Sequence, residues 1–237
     1  MANPFFRFKQ FTVFHHRCAM KVGTDGVLLG AWTEPENAGN ILDIGTGSGL
    51  IALMLAQKCN ASIQAIDIEP NAIQQALENF ENSPWPERLN VEEISLQDFS
   101  LKSETKFDLI VSNPPFFVNS LQTPDKNRTS ARHANDLTHN DLLLCAKRLL
   151  SKTGRISLIL PVNEGLQNIE YGESIQLYCN KLVYVYPKPD VQPKRVLLEY
   201  SLQRNARAIS KLEIETNLRH QFSTDFIALV KDFYLNL

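Results

Sequence analysis

From residue 41 onwards, short apolar runs alternate with longer segments in which apolar residues recur at helical spacing. Five of the short runs predict β-strands, at residues 41–44, 62–66, 89–95, 107–112 and 155–160. Helices are predicted among them, at residues 50–58, about 70–79 and about 138–150. Strands that alternate with helices are typical of a mostly parallel sheet covered on both faces. The pattern therefore predicts a Rossmann-like, doubly wound α/β fold.

The last third of the chain departs from this alternation. Two further strands are predicted, at 181–186 and 195–203, with a proline-rich turn between them. They bring the predicted sheet to seven strands and give it a C-terminal β-hairpin, and a closing helix is expected at 217–234. The loop 117–138 is longer than most connections in compact domains, which predicts a functional or mobile segment.

Length and composition fit one globular domain over residues 1–237. Of the 237 residues, 43% are apolar and 21% are charged, which is ordinary for a soluble domain. Residues 1–33 are rich in phenylalanine and basic side chains, and we expect this segment to cap the ligand site of a core formed by residues 34–237. Interleaved rings and cations are typical of a nucleic-acid surface, although most of these rings are better interpreted as a hairpin packed on the core.

Several classes of protein are disfavoured. No apolar run approaches the roughly 20 residues that span a bilayer, and the first residues lack the order of a signal peptide. The four cysteines are widely spaced and the five histidines lack metal-ligand spacing, so we expect reduced thiols and no metal site. These features predict a cytoplasmic protein without a membrane partner.

The net charge of −2 conceals a segregation along the chain. Between Glu34 and Asn113 there are 13 acidic and 4 basic residues, whereas the remainder has 13 acidic and 20 basic residues. A nearly neutral protein can therefore still present a basic face to a polyanion. Solvated charges on separate loops would explain the same counts equally well.

Candidate cofactor residues follow successive predicted strands. Gly45, Gly47 and Gly49 form a turn between the first strand and its helix, where missing side chains let a ligand approach the backbone. Asp67 ends the second strand and can accept both hydroxyls of a ribose, and Asp98 follows the third and can accept from an adenine amine. In a doubly wound sheet such strand ends line the ligand crevice.

Asn113-Pro114-Pro115-Phe116 follows the fourth strand and carries the most specific chemistry. The Asn113 carbonyl and a backbone carbonyl can accept hydrogen bonds from an amine, and the prolines restrict the backbone and remove donors. Phe116 can stack on a planar group that bears the amine. The tetrapeptide predicts a slot for a flat molecule with an NH2 group, whereas an ordinary strand-to-loop turn is the alternative.

Other nucleotide chemistries fit less well. No lysine follows the glycines as in a P-loop, and no nucleophile elbow is visible. An NAD-dependent oxidoreductase could use the glycine turn and Asp67, but the spacing differs from G-x-G-x-x-G and the Asn113 slot would have no role. A non-catalytic RNA-binding module would leave the cofactor residues unexplained.

The sequence Asp43–Gly49, the acids Asp67 and Asp98, and the tetrapeptide resemble the ordered motifs of the class I S-adenosylmethionine-dependent methyltransferases. Asn-Pro-Pro-Phe/Tyr is shared by the branch that methylates exocyclic amino or amide nitrogens. Asp43 would either bond the amino-acid end of the cofactor or only brace the glycine turn. The resemblance implies these cofactor-binding residues: Gly23, Thr24, Asp43, Gly45, Gly47, Gly49, Asp67, Ile68, Asp98, Phe99 and Asn113. It implies these catalytic residues: Asn113, Pro114, Pro115 and Phe116.

The N-terminal block from Phe8 to Trp32 resembles the bacterial tRNA1(Val) (adenine(37)-N6)-methyltransferase family, and further similarity continues almost to the end of the chain, at Phe233-Tyr234-Leu235. The resemblance implies S-adenosylmethionine as cofactor and methylation of an adenosine beside the anticodon. The expected partner is the anticodon stem-loop of tRNA, bound by a monomer. Candidate phosphate-binding residues are Lys21, Arg128, Arg132, Lys188, Lys194 and Arg195. A guanine N2 enzyme for rRNA or a protein glutamine methyltransferase remains an alternative.

Overall fold

The computed structural model describes residues 3–114, 137–218 and 221–236. The strands in chain order are β1 (Phe5–Arg7), β2 (Thr12–Phe14), β3 (Asn40–Ile44), β4 (Ser62–Asp67), β5 (Leu89–Glu93), β6 (Phe107–Ser112), β7 (Leu150–Pro161), β8 (Tyr178–Tyr186), β9 (Arg195–Ser201) and β10 (Ala208–Glu213). The helices are α1 (Thr24–Trp32), α2 (Leu50–Lys58), α3 (Pro70–Glu81), α4 (Leu96–Lys102), α5 (His139–Leu149), α6 (Val162–Ser174) and α7 (Thr224–Val230). A 3-10 turn covers Pro86–Arg88.

The central sheet has the order β10-β8-β9-β7-β6-β3-β4-β5, and β9 runs against its neighbours on both sides. The other neighbouring strands pair in parallel. The predicted mixed α/β fold with a mostly parallel sheet and a C-terminal hairpin is therefore confirmed. From β3 the chain builds one side of the sheet through β4 and β5, and then returns to β6 beside β3. This reversal is the topological switch point at which doubly wound sheets bind ligands.

Two details of the prediction were wrong. The sheet has eight strands rather than seven, because β10 pairs with β8 at the edge. Leu212 is the buried apolar residue of β10 and its first four residues are exposed, so this strand carries little hydrophobic pattern. The closing helix is also shorter than 217–234: it begins at Thr224, after Ser223 accepts a hydrogen bond from the Phe226 amide at 3.0 Å.

The alternation of side chains along β3 shows why the fold is doubly wound. Ile41 belongs to the apolar layer that contains residues of α1 and α2, whereas Leu42 and Ile44 belong to the layer that contains residues of α5 and α6. A strand buried on both faces needs apolar residues at successive positions, which is the short-run pattern of the sequence. No helix in the described parts of the chain has both the length and the apolar character needed to cross a membrane.

The strands β1 and β2 form a separate antiparallel hairpin near the N-terminus. Phe8 and Phe11, in the connection between them, are buried with ring centroids 4.7 Å apart. The Lys9 amide donates to the Phe233 carbonyl at 2.8 Å, which joins this connection to the C-terminal residues. The interpretation of these rings as core residues, rather than as an exposed stacking surface, therefore holds for Phe8 and Phe11.

Candidate active site

The glycine turn connects β3 to α2 at the switch point. Gly45, Gly47 and Gly49 have φ angles of 67°, 55° and 79°, all in the left-handed region that favours glycine. A Cβ atom on Gly49 would lie 2.5 Å from the Phe80 ring, whereas a Cβ on Gly45 or Gly47 would have no atom within 4 Å. Gly49 is therefore required for packing. Gly45 and Gly47 instead leave open space in which a ligand can approach the backbone.

Asp43 lies beneath this turn and is fully buried. Its Oδ2 accepts hydrogen bonds from the Thr46 hydroxyl at 2.7 Å and from the Ala52 amide at 3.2 Å. Its Oδ1 is buried and has no hydrogen-bond partner among the described residues. Burial raises the pKa of Asp43 to about 7; the two hydrogen bonds lower it and the negative charge of Asp67 raises it further. Of the two roles that the sequence left open, the contacts of Asp43 are those of a brace.

The raised pKa of Asp43 predicts a pH-dependent stability. A carboxyl whose pKa is raised by folding contributes stability below its ordinary pKa of 3.8, and this contribution is lost as the pH rises to about 7. Asp43→Asn should remove this dependence, on the order of 4 kcal/mol at most over that range. Urea unfolding of both proteins between pH 4 and pH 8 measures this effect. As the pH rises to about 7, the free energy of unfolding of the native chain should fall relative to that of Asp43→Asn, and above that pH the difference should stay constant. Parallel curves throughout would contradict the assignment.

Asp67 ends β4 beside the glycine turn. Its Oδ2 accepts from the Gly47 amide at 2.9 Å and its Oδ1 accepts from the Glu69 amide at 3.0 Å. Each carboxylate oxygen can accept a further hydrogen bond, so these contacts orient the group without exhausting it. The next residue, Ile68, is 54% exposed and gives this edge of the crevice an apolar surface. The roles of Asp67 with a ribose and of Ile68 with its base stay predictions.

Asp98 and Phe99 lie near the start of α4, where contacts within the protein engage both residues, and their role with a cofactor stays a prediction. Asp98 is in the first turn of α4, where its Oδ2 accepts from the Ser95 hydroxyl at 2.8 Å and its amide donates back to that oxygen at 3.0 Å. This reciprocal cap occupies part of the carboxylate. The Phe99 ring is buried beside Phe107, with ring centroids 6.1 Å apart, and its amide donates to the Ser95 carbonyl. Phe99 thus has the contacts of a core residue.

Asn113 follows β6, the neighbour of β3 at the switch point. The hydroxyl of Ser112 donates to the Ile44 carbonyl at 2.8 Å, which joins the ends of the two strands. The Asn113 Oδ1 atom is buried and has no hydrogen-bond partner among the described residues. An unpaired buried acceptor costs about 1–3 kcal/mol, which makes Asn113 Oδ1 a candidate hydrogen-bond acceptor for a ligand. Pro114 is buried, and Pro115 and Phe116 lie outside the described residues.

Gly23 and Thr24 begin α1 and are exposed. Close packing of α1 against α2 determines where they lie: a Cβ on Gly26 would be 2.9 Å from Leu50, and one on Gly30 would be 2.7 Å from Met54. Because Leu50 is the first residue of α2, the N-terminal ends of the two helices lie side by side. Gly23 and Thr24, at the start of α1, therefore lie towards the end of the helix pair at which the glycine turn leads into α2, and their contact with a cofactor stays a prediction.

Comparisons with known proteins identify the family. The methyltransferase small domain family model matches residues 10–169. Three relatives are named tRNA1(Val) (adenine(37)-N6)-methyltransferase. That of Phocaeicola vulgatus is 49% identical over 100% of both chains, that of Trichodesmium erythraeum is 46% identical over 99% of both, and that of Mannheimia succiniciproducens is 44% identical over 98% of this chain and 94% of its own. The chain belongs to this family. The resemblance seen in its motifs is confirmed.

The fold of this family member is also found among solved structures. A protein from Agrobacterium tumefaciens, described as a predicted O-methyltransferase, matches with a TM-score of 0.70 over 88% of this chain and 96% of its own. The two sequences are 17% identical, so the likeness concerns the fold alone.

The basic residues predicted to bind RNA have different surroundings in this methyltransferase. The Arg195 Nε lies 2.9 Å from Asp25 Oδ2, and the Lys188 Nζ lies 3.3 Å from Glu215 Oε2. Lys21 and Lys194 are exposed, whereas Arg128 and Arg132 lie outside the described residues. The Arg195–Asp25 pair joins the start of β9 to the first turn of α1, and the role of Arg195 with phosphate stays a prediction.

Two buried polar residues of α3 were missed in the sequence. Gln75 and Asn79 face the interior between the buried residues Ala72, Ala76 and Phe80. Their helical spacing on an apolar face is a signal that could have found them, since buried amides need specific partners.

Among the described residues, no three histidine, cysteine or acidic side chains are grouped as a metal site would require.

Proposed function

We propose that this chain transfers the methyl group of S-adenosylmethionine to N6 of adenosine 37 in tRNA1(Val). One observation carries the proposed chemistry: the buried Asn113 Oδ1 has no partner among the described residues and lies beside the glycine turn. A hydrogen-bond acceptor for an amine thus lies next to the open backbone at Gly45 and Gly47. The names of relatives that match the whole chain support the RNA substrate.

The crevice fits the proposed cofactor. The open sides of Gly45 and Gly47 would admit its amino-acid end, together with Gly23 and Thr24. Asp67, oriented by two backbone amides, would accept the ribose hydroxyls. Ile68 would cover the face of the adenine ring. The cofactor supplies an electrophilic methyl group bound to a sulfonium.

The role of the chain is to orient a weak nucleophile. The lone pair of the adenine N6 amine is delocalised into the ring, so two acceptors on its hydrogens favour a pyramidal nitrogen. Asn113 Oδ1 would accept one hydrogen and the Pro114 carbonyl the other, which directs the lone pair towards the methyl group. N6 would take the methyl group as the bond between that carbon and the sulfonium sulfur breaks, which leaves a neutral thioether, and N6 would afterwards lose one proton to solvent. An anticodon-loop base is unpaired, so turning it into the slot costs only a few kcal/mol.

The test is to incubate the protein with labelled S-adenosylmethionine and tRNA that lacks methylation, and to map the labelled nucleoside. We expect label in N6-methyladenosine at position 37 of tRNA1(Val), and none in tRNA whose adenosine 37 is replaced. Label in guanosine of rRNA, or in a protein glutamine, would replace the proposed substrate by one of the alternatives. Binding of a nicotinamide cofactor instead of S-adenosylmethionine would contradict the proposed reaction class.

Exposed Lys194 leads to a prediction about salt dependence. Each phosphate contact should contribute about one unit to the slope of log affinity against log salt concentration. Lys194→Ala should therefore reduce the slope for tRNA binding by about one unit. Lys152→Ala is a matched control. Lys152 is also exposed, but it lies near the start of β7, whereas Lys194 precedes Arg195, which pairs with Pro161 at the end of β7. Equal slopes for Lys194→Ala and the native chain, measured by fluorescence anisotropy, would remove Lys194 from the interface.

The proposal also includes a monomeric, metal-free protein that acts in the cytoplasm, with residues 1–33 as a cap on the core within one domain. Light scattering of the purified chain tests the oligomeric state, since a dimer would give twice the mass of 26.9 kDa. Activity that survives a strong chelator tests the absence of a metal.

A further inference from the structure

We propose that Asn79 is a positioning residue that holds the N-terminal segment and the glycine turn in register with each other. Residues 14–24, which lead from β2 to the start of α1, are called the entry segment below. Asn79 is on α3 and 1% exposed. The proposal rests on the proposed function in one respect: it treats the glycine turn and Gly23–Thr24 as two sides of the cofactor site.

The amide group of Asn79 makes three hydrogen bonds. Asn79 Oδ1 accepts from the Phe14 amide at 2.9 Å, and Nδ2 donates to the Phe14 carbonyl at 2.8 Å. Nδ2 also donates to the Ser48 carbonyl at 2.8 Å. Both donor hydrogens are thus used, and the acceptor is used once. A carboxylate lacks the two donors, and an alanine lacks all three contacts, so the position requires an amide of this length.

Ser48, which accepts a hydrogen bond from Asn79, belongs to the glycine turn. Ser48 lies between Gly47 and Gly49, and its side chain is buried. Holding its carbonyl towards α3 fixes the orientation of the peptide that joins Ser48 to Gly49. Gly49 then enters α2 with a φ of 79°. The bond from Asn79 therefore restrains the part of the turn that directly follows the open backbone of Gly47.

Phe14, the other partner of Asn79, is the first residue of the entry segment. The buried ring of His15 follows Phe14, and its Nδ1 accepts from the Val22 amide at 3.5 Å. Its Nε2 lies 3.0 Å from the Asn3 carbonyl, so the neutral ring donates from Nε2. Val22 immediately precedes Gly23 and Thr24. Contacts thus connect Asn79 through Phe14 and His15 to Val22, so one side chain restrains both sides of the site.

Gln75 supplies an internal comparison on the same helix. Its Oε1 accepts from the Arg17 amide at 3.2 Å, and its Nε2 donates to Glu78. Gln75 thus holds the entry segment without a hydrogen bond to the glycine turn. A variant at Gln75 loosens one side of the site, whereas a variant at Asn79 loosens both.

The experiment compares Asn79→Ala, Asn79→Asp, Gln75→Ala and Asn82→Ala in the full chain. Asn82 is a surface control on the same end of α3, where its side chain donates only to the Glu78 carbonyl at 2.7 Å. Affinity for S-adenosylmethionine is measured by calorimetry, turnover with saturating ligands by methyl transfer, and exchange of the Phe14 and Gly49 amides by mass spectrometry or NMR. The exchange measurement needs neither cofactor nor RNA.

We expect Asn79→Ala and Asn79→Asp to weaken cofactor binding at least tenfold and to keep turnover at saturation within about threefold. Asn79→Ala should speed exchange at Phe14 and at Gly49, and Asn79→Asp, whose carboxylate still accepts from the Phe14 amide, should speed it at Gly49. Gln75→Ala should leave Gly49 protected and Asn82→Ala should change neither. Unchanged exchange at Gly49 in both Asn79 variants would overturn the proposal. Faster exchange with unchanged cofactor affinity would show a merely structural role. A native chain that binds no S-adenosylmethionine would refute the proposed function, while the exchange data would still decide the coupling.

Discussion

Asn113→Ala should lower the rate of methyl transfer by a factor of about 10²–10³ at saturating cofactor and tRNA, by analogy with other preorganised hydrogen-bond groups. The Oδ1 atom is buried beside the crevice with no partner among the described residues, so its contribution is realised when the amine is bound. Alanine removes the acceptor and leaves the amine lone pair delocalised into the ring. Because the resemblance also implies Asn113 as a cofactor-binding residue, saturating S-adenosylmethionine keeps any loss of cofactor affinity out of the measured rate.

Single-turnover kinetics measure the effect of Asn113→Ala, since they separate methyl transfer from product release. Ser112→Ala is the matched control: it removes the 2.8 Å hydrogen bond to the Ile44 carbonyl at the same strand end without touching the predicted acceptor. We expect Ser112→Ala to cost about 1 kcal/mol of stability and to lower the rate far less than Asn113→Ala. Near-normal transfer by Asn113→Ala at saturation would exclude Asn113 from the proposed role.

Gly49→Ala and Gly45→Ala should fail in different ways. At Gly49 the added Cβ meets the buried Phe80 ring at 2.5 Å and the residue keeps a φ of 79°. Backbone strain and overpacking together should cost on the order of 2–5 kcal/mol, a large part of the stability of a typical domain. At Gly45 the φ of 67° has a strain cost alone, about 1–2 kcal/mol, since a Cβ there meets no atom within 4 Å.

The space around Gly45 is where the cofactor is proposed to lie, so Gly45→Ala should weaken S-adenosylmethionine binding at least tenfold while the protein remains folded. Urea unfolding and calorimetry on both variants separate the two losses. Equal destabilisation by the two substitutions would contradict the packing argument. Unimpaired cofactor binding by Gly45→Ala would show that the open space has another use.

What the sequence could predict depended on how local each feature is. The strands β3 and β6 are buried on both faces, so their apolar runs stand out, and the polar residues at their ends could be assigned to one edge of the sheet. Edge strand β10 escaped because its first four residues are exposed. Asp98 was expected at a strand end, but Ser95 caps a short helix there and draws the carboxylate into the cap.

Contacts between distant parts of the chain could not be predicted from one sequence. Asn79 is 65 residues from Phe14, and Arg195 is 170 residues from Asp25. Neither pair leaves a local pattern, since a buried amide and an ion-paired arginine resemble surface residues in composition. Arg195 was therefore assigned to RNA alone, whereas its guanidinium also lies against Asp25 of α1.

The pairing of β3 with β6 has a consequence for how substrate choice can change in this family. The glycine turn and Asn113 follow adjacent strands, whose backbones lie about 4.8 Å apart in any sheet. The separation between the two halves of the site is thus set by backbone hydrogen bonds, which do not depend on side-chain identity. Under the proposed function, surface loops can change to recognise another substrate while the distance between the glycine turn, which would bind the methyl donor, and Asn113, which would hold the amine, remains the same.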